Sequence, residues 1–345
     1  MSRYLVYGAG AIGGTIAARL ARAGVEVRLV ARGEHLEAIR RDGLRLADPL
    51  GEERFRIPAF EHPAEAEVKA GDIVVLAMKT QDTAAALDEL AACADPATTI
   101  VCAQNGVENE RLALRRFGDV LAMYVYLTAE HLEPGVVRAF SSPVPGVLDL
   151  GPAGSGGDPA RAAAIAGDLS RAGFASRALD HPERWKHAKL LANMVNAATV
   201  VAGPDGHGEK LRERARAEAI ACFRAAGIDW AADEEVAERV GVVAPIRAVG
   251  GREWTGSSTW QSLARGSGAT EVDYINGEVV LLGRLWGVPT PVNRALQNLV
   301  GRMARDGAAP RDRRYLAELE RLMDLSAPRA ARPPGRTAPS PDRRR

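Results

Sequence analysis

Cysteine is scarce in this chain. Of 345 residues three are cysteine, Cys93, Cys102 and Cys222, far apart and never in CxxC spacing. That excludes a disulfide framework and gives no zinc site, so the thiols are expected to be reduced, buried and inert. No uninterrupted apolar stretch is long enough to span a bilayer. Net charge is also nearly missing, at +1, which removes any global attraction to nucleic acid or an anionic membrane. The first apolar run begins almost at Met1, with no basic segment and apolar leader ahead of it, so the expected location is the cytoplasm. Hydrophobic residues at 46% and charged residues at 26% are ordinary for a soluble globular protein, and the length favours two domains. No internal repeat is present.

What is present starts at once. Tyr4-Leu5-Val6-Tyr7 is a short apolar strand running into Gly8-Ala9-Gly10-Ala11-Ile12-Gly13. In such a GxGxxG turn the first glycine makes the tight turn, the second lets backbone approach a pyrophosphate, and the third allows close helix packing. Ile12, Ile16, Leu20 and Ala23 then recur at helical spacing up to Gly24, and Val25 to Ala31 reads as a second buried strand. Strand, glycine turn, helix and strand form the βαβ unit of a Rossmann fold, so Gly8, Ala9, Gly10, Ala11, Ile12 and Gly13 are expected to hold a dinucleotide at the helix N-terminus. The second strand ends in Ala31-Arg32-Gly33. A guanidinium there suits a 2′-phosphate and favours NADP(H), while Glu34 lies close enough to bind a ribose hydroxyl instead.

Further along, Gly71-Asp72 introduces an apolar run ending at Lys79, and Thr99 to Ala103 repeats the pattern before Gln104-Asn105-Gly106. Alternating strands and helices imply a doubly wound parallel sheet with ligands at the carboxyl ends of its strands, where Lys79 and Asn105 fall. Pro134-Gly135 and Pro145-Gly146 punctuate a β-like passage over 136–150, and residues 151–158 read as a glycine-rich loop. A helix over 159–171 and a short segment over 174–179 close this part. The next helix is expected to start with Asp180 as N-cap, Pro182 in its first turn and Glu183 at the capping-box position. From there to about Leu325 the periodicity is helical. The expected fold is therefore α/β, with a Rossmann-type doubly wound domain over 1–179 followed by an all-helical domain over 180–325. Residues 326–345, rich in proline and arginine, are expected to be a disordered tail.

Two places carry candidate chemistry. In RWKHAKLLANMVNAATVV, Lys189, Asn193 and Asn196 fall within an arc of roughly 60° at about 100° per residue. Leu190, Leu191, Met194 and Val195 face elsewhere. The alternative is a solvated edge shared with Lys186 and His187. The second place is Glu271 in TEVDYING, at the start of a helix and on the same side as Ile275 and Leu282. A carboxylate there needs a cationic or hydroxyl partner, or else serves as a cap.

Taken together, GAGAIGG at 8–14, Arg32, AMKTQ around Lys79, QNG at 104–106, KLLAN at 189–193, SSTWQ at 257–261 and TEVDYING at 270–277 resemble the ketopantoate reductase (2-dehydropantoate 2-reductase) family. The resemblance implies reduction of a small 2-oxo acid by NADPH in pantothenate and coenzyme A synthesis. By the same resemblance hydride is expected to go to the ketone carbon, with Lys189 as the general acid. It also implies that Asn193 holds the substrate, Ser258 meets its carboxylate, and Glu271 orients Lys189 or binds the substrate hydroxyl, while Lys79 and Asn105 bracket nicotinamide and ribose. By the same resemblance Asn105 and Lys189 also touch substrate and Glu271 also touches cofactor. No metal and no nucleic-acid or membrane partner is implied, and a homodimer stays open.

The sequence departs from the family pattern where an asparagine commonly follows the lysine by eight residues. Here that position is Ala197, and Asn196 sits about 100° away around the helix. The stretch from Ser258 to Glu271 is also one residue longer. Both changes touch substrate recognition more than cofactor binding. They keep open a reductase of another 2-oxo acid. A non-catalytic NADP(H) sensor, or a β-hydroxyacid or opine-type dehydrogenase, is the more distant alternative.

Overall fold

The structure, a computed structural model, describes residues 2–204, 206–266 and 268–325; the expected tail at 326–345 lies outside them. In chain order the first part comprises β1 (Arg3–Tyr7), α1 (Ala11–Arg22), β2 (Glu26–Val30), α2 (Gly33–Asp42), β3 (Leu44–Asp48), β4 (Gly51–Phe55), β5 (Ala59–Phe60) and β6 (Ile73–Leu76). It continues with α3 (Thr83–Ala91), β7 (Thr99–Cys102), α4 (Asn109–Ala113), β8 (Val120–Leu127), β9 (Ala129–Glu133), β10 (Val136–Ala139), β11 (Gly146–Pro152) and α5 (Pro159–Arg171).

Seven strands form the main sheet in the order β11-β8-β7-β6-β1-β2-β5, parallel throughout except that β11 runs antiparallel to β8. Ile73 to Leu76 and Thr99 to Cys102 are wholly buried, which is why these strands read as continuous apolar runs rather than alternating ones. The strand order reverses at β1 and β6, a topological switch point where the loops after Tyr7 and Leu76 lie side by side. Strand β11 extends through Pro152 and so shortens the loop expected over 151–158.

A second sheet was not foreseen. β4, β3, β10 and β9 form it, with β10 parallel to β3 and antiparallel to β9. Its buried Leu44, Leu46 and Val137 pack with Ile16 and Leu20 of α1, and a Cβ on Gly14 would come within 2.7 Å of Val137 Cγ1. α1 is thus clamped between two sheets.

The second part is helical: α6 (Pro182–Ala202), α7 (His207–Ala226), α8 (Asp233–Val240), α9 (Ser258–Ala264), α10 (Val272–Trp286), α11 (Pro291–Arg305) and α12 (Arg313–Leu325). α6 starts differently from the expectation. Its N-cap is His181, not Asp180, and no side chain caps it. Pro182 opens the helix, and Glu183 pairs with His181 instead of closing a capping box. It ends at Gly203, whose φ of +85° suits glycine. Leu190, Leu191 and Met194 join Leu211, Phe223, Val279, Leu296 and Met303 in the helical core. Asn276 of the TEVDYING segment is buried and donates to Asn293 Oδ1 at 2.9 Å, so that asparagine joins α10 to α11. On α10, Leu281, Leu285 and Trp286 remain exposed, an apolar face the sequence reading did not single out.

The segment over 241–257, between α8 and α9, returns to the first part: Arg247 N donates to Phe140 O at 2.8 Å and Thr255 Oγ1 to Glu130 Oε2 at 3.2 Å. α9 continues this contact through Gln261 Nε2 to Ala129 O at 3.2 Å.

Candidate active site

The glycine loop sits at the switch point. A Cβ on Gly8 (φ +102°) would lie 2.7 Å from Met78 N, and one on Gly13 would lie 2.0 Å from Gly8 O, so neither position tolerates a side chain. Gly10 is different. A Cβ there would meet nothing within 4 Å, so its face is open. Gly10 is also the N-cap of α1, without a side-chain cap and with no acidic residue in the first turn. An open glycine at an uncapped helix N-terminus fits a pyrophosphate, because the backbone N–H groups of Ala11, Ile12 and Gly13 have no intrahelical partner. Arg32 caps nothing either: its guanidinium, mostly exposed, lies 3.2 Å from Asp82 Oδ2 at the rim of this loop.

Around the ends of β6 and β7 a polar network is built. Thr80 Oγ1 donates to Glu271 Oε1 at 3.0 Å, and Thr80 N donates to the same oxygen at 3.1 Å. Asn109 Nδ2 donates to Asn105 O at 2.9 Å, Thr83 Oγ1 to Asn109 Oδ1 at 2.8 Å, and Gln104 Nε2 to Thr83 Oγ1 at 2.7 Å. Glu271 occupies the N-cap position of α10, but its side chain makes no cap bond, and its described partner is Thr80 rather than Lys189. Lys79 Nζ donates to Ser262 Oγ at 2.5 Å, on the α9 turn that follows Ser258, and burial lowers its pKa while Glu271 works against that shift. Ser258 is exposed at the start of α9, where its carbonyl accepts from Ser262 Oγ at 2.8 Å.

α6 lies across these strand ends and presents one face to them. Lys186 Nζ donates to Gln104 O at 2.8 Å and forms an ion pair with Glu110 at 2.6 Å, both side chains buried. Asn193 Nδ2 donates to Asn105 Oδ1 at 3.4 Å. Between them Lys189 carries its ammonium 5.2 Å from the Tyr126 ring centroid, near the end of β8. It has no hydrogen bond or ion pair among the described residues, and burial pushes its pKa down to about 8. Asn196, half-buried, joins none of these bonds, and Ala197 is buried in the helical core.

The structure thus gathers Lys79, Asn105, Glu271, Asn193 and Lys189 around the carboxyl ends of β6, β7 and β8. It adds Thr80, Asn109, Lys186, Glu110, Tyr126 and Ser262, which sequence reading missed. Lys186 had a signal, three residues before Lys189 on the same helix face, but it reads equally well as solvated. Among the described residues no group of three or more His, Cys, Asp or Glu could hold a metal ion, and no helix is long and apolar enough to cross a membrane.

Residues 4–154 match the family model described as ketopantoate reductase PanE/ApbA, and residues 183–304 match its C-terminal counterpart. A 2-dehydropantoate 2-reductase of Halobacterium salinarum is 31% identical over 316 residues, covering 88% of this chain and 100% of that protein. The chain belongs to the ketopantoate reductase family. The 2-dehydropantoate 2-reductase of Mesorhizobium japonicum is 33% identical, covering 87% of this chain and 97% of the relative. A crystal structure of a ketopantoate reductase family protein from Ralstonia eutropha superimposes with a TM-score of 0.73 at 29% identity, covering 88% of this chain and 99% of the other. The fold is shared with D-mandelate dehydrogenase, solved with NADH and anilino(oxo)acetate, at a TM-score of 0.74 and 23% identity, with 88% of this chain and 99% of that one covered. The family assignment covers both parts of the chain, the sheet with its glycine loop and the helices that carry Lys189.

Proposed function

We propose that this chain reduces 2-dehydropantoate to pantoate with NADPH, in the cytoplasm and in pantothenate synthesis, with residues 1–179 holding the cofactor and 180–325 the substrate. The observation that carries the reading is Lys189. It is a buried-stem lysine with a pKa near 8 and no counter-ion among the described residues, one helical turn from Asn193 and facing the strand ends where a Rossmann sheet presents its ligands.

Gly8, Ala9, Gly10, Ala11, Ile12 and Gly13 would seat the pyrophosphate, Arg32 the 2′-phosphate, and Lys79, Asn105 and Glu271 the nicotinamide riboside. When bound, the reduced nicotinamide supplies the hydride that adds to the ketone carbon. Everything else falls to the chain. Negative charge builds on the ketone oxygen, and Lys189 donates its proton there as the C–O⁻ forms, leaving a neutral amine. A donor with a pKa near the working pH is still charged yet gives up its proton readily. Asn193, tied to Asn105, leaves the Asn105 amide nitrogen without a partner among the described residues, a donor for the substrate. Ser258 meets the carboxylate. Glu271, held on one oxygen by Thr80, keeps the other for a hydroxyl of substrate or ribose.

The test is loss of reduced-nicotinamide absorbance with 2-dehydropantoate, run with NADPH, with NADH and with Lys189→Ala. Lysine-dependent turnover preferring NADPH supports the reading. Binding of NADPH without turnover rejects it. One second reading, a reductase of another 2-oxo acid, stays with Ala197: one turn beyond Asn193 the helix carries an alanine packed in the helical core, so no carboxamide is available there. A kcat/KM for a different 2-oxo acid above that for 2-dehydropantoate would select it.

A further inference from the structure

We propose that His35 is a positioning residue of the dinucleotide site, holding the Ala9 carbonyl so that the Gly10 N–H is aimed at the pyrophosphate; the assignment rests on reading the glycine loop as that site. His35 lies in the first turn of α2, three residues after Arg32. Its Nε2 is 2.8 Å from Ala9 O, and on the opposite side of the ring Gly135 N donates to Nδ1 at 2.8 Å. A ring nitrogen that accepts an N–H carries no proton, so the imidazole proton sits on Nε2 and is donated to Ala9. The contacts therefore select one neutral tautomer.

Ala9 needs this bond. The α1 ladder begins at Gly10 O, which accepts from Gly14 N at 2.7 Å, so Ala9 O lies outside the helix while the residue is 2% exposed. A buried carbonyl without a partner is costly, and His35 supplies the partner. The direction of the bond matters as much as its energy. Ala9 C=O and Gly10 N–H belong to one planar trans peptide and point opposite ways. Fixing the carbonyl on His35 turns the Gly10 N–H to the other side, next to the open face of Gly10.

The surroundings are shaped for this contact. Gly135 (φ +75°) approaches α2 so closely that a Cβ would lie 3.0 Å from Ala38 Cβ, and a Cβ on Gly14 would lie 2.7 Å from Ala9 O. His131 of β9 packs its ring 4.0 Å from that of His35 and bonds Val136 O through Nδ1 at 3.1 Å. His131 O in turn accepts from Arg265 Nη1 at 2.6 Å. A continuous chain of contacts thus runs from the turn after α9, through the small sheet, to the phosphate-facing loop.

The experiment compares dinucleotide binding, by titration with NADPH and with NADH, in the full-length wild type, His35→Phe, His35→Asn and His35→Gln. Phenylalanine keeps the ring packing and loses both bonds. Asparagine keeps an acceptor for Gly135 but stops short of Ala9. Glutamine can accept from Gly135 and still donate to Ala9 O. Phenylalanine and asparagine are expected to weaken NADPH binding about tenfold, equivalent to about 1.4 kcal/mol. With saturating dinucleotide their kcat stays near the wild-type value, and glutamine recovers most of the affinity. Wild-type-like binding by His35→Asn, or an equal loss in His35→Gln, overturns the assignment. A wild type that binds neither dinucleotide overturns the reading of the loop and this assignment with it. Should His35→Phe fail to fold, the asparagine and glutamine pair still decides.

Discussion

Lys186 and Glu110 meet at 2.6 Å with side chains only 5% and 9% exposed, and the same ammonium donates to Gln104 O. This buried pair fastens the helix that carries Lys189 to the loop that carries Asn105. Removing one partner strands a charge, whereas removing both leaves an apolar contact. Lys186→Met is expected to cost about 3–5 kcal/mol of stability, and the double change Lys186→Met with Glu110→Leu to recover most of it. Denaturant unfolding of the two variants checks this. A single variant as stable as wild type would show that the pair bears little weight.

The proton donation proposed for Lys189 has a direction in pH. Burial lowers its pKa to about 8, and the acid form is the active one, so kcat/KM is expected to hold below that value and to fall about tenfold per unit above it. Lys189→Ala should lower kcat about a hundred- to ten-thousandfold while dinucleotide affinity is retained. A flat profile from pH 6 to about 10 would remove Lys189 from the proton step.

Cofactor choice is expected to rest on Arg32, whose guanidinium stands free of the core and 3.2 Å from Asp82. Arg32→Ala should raise the KM for NADPH about tenfold and leave that for NADH unchanged, because only the 2′-phosphate loses its planar donor. Equal effects on the two cofactors would place the arginine elsewhere.

Asp149, fully buried on β11, accepts from Arg239 of α8 at 2.6 and 2.7 Å and from Arg177 N at 3.0 Å. Asp149→Ala should destabilise the protein by about 3–5 kcal/mol, visible as a lowered thermal midpoint, since it leaves Arg239 half-desolvated and unpaired. The effect on kcat at a temperature where the variant is folded should be small.

Much of this was legible in the sequence for identifiable reasons. The glycine loop is local: its requirements on Gly8, Gly10 and Gly13 act over six residues, so spacing alone exposes them. The strands of the main sheet are buried on both faces and read as apolar runs. The small sheet was missed because β3 and β4 are short and charged on one face, and β3 pairs with β10, far along the chain. Contacts such as Lys186 with Glu110 or His35 with Gly135 leave no periodic trace, and either partner alone resembles a surface residue. Asp180 met the pattern of a helix cap but the cap fell one residue later, on His181, a shift that sequence seldom resolves. Ser258 and Asn196 show the reverse: both were singled out, yet neither side chain has a hydrogen bond among the described residues.

α9 follows the helices of the second part in sequence, but Gln261 and Arg265 tie it and its following turn to Ala129 and His131, and Thr255 ties the approach to Glu130. The modular seam of this molecule consequently does not coincide with a single cut near residue 180. A chimaera joined there, taking its sheet from one relative and its helices from another, would import α9 without the strand backbone it is bonded to. Exchange of substrate preference between relatives would need β9 and the 241–265 stretch to travel together.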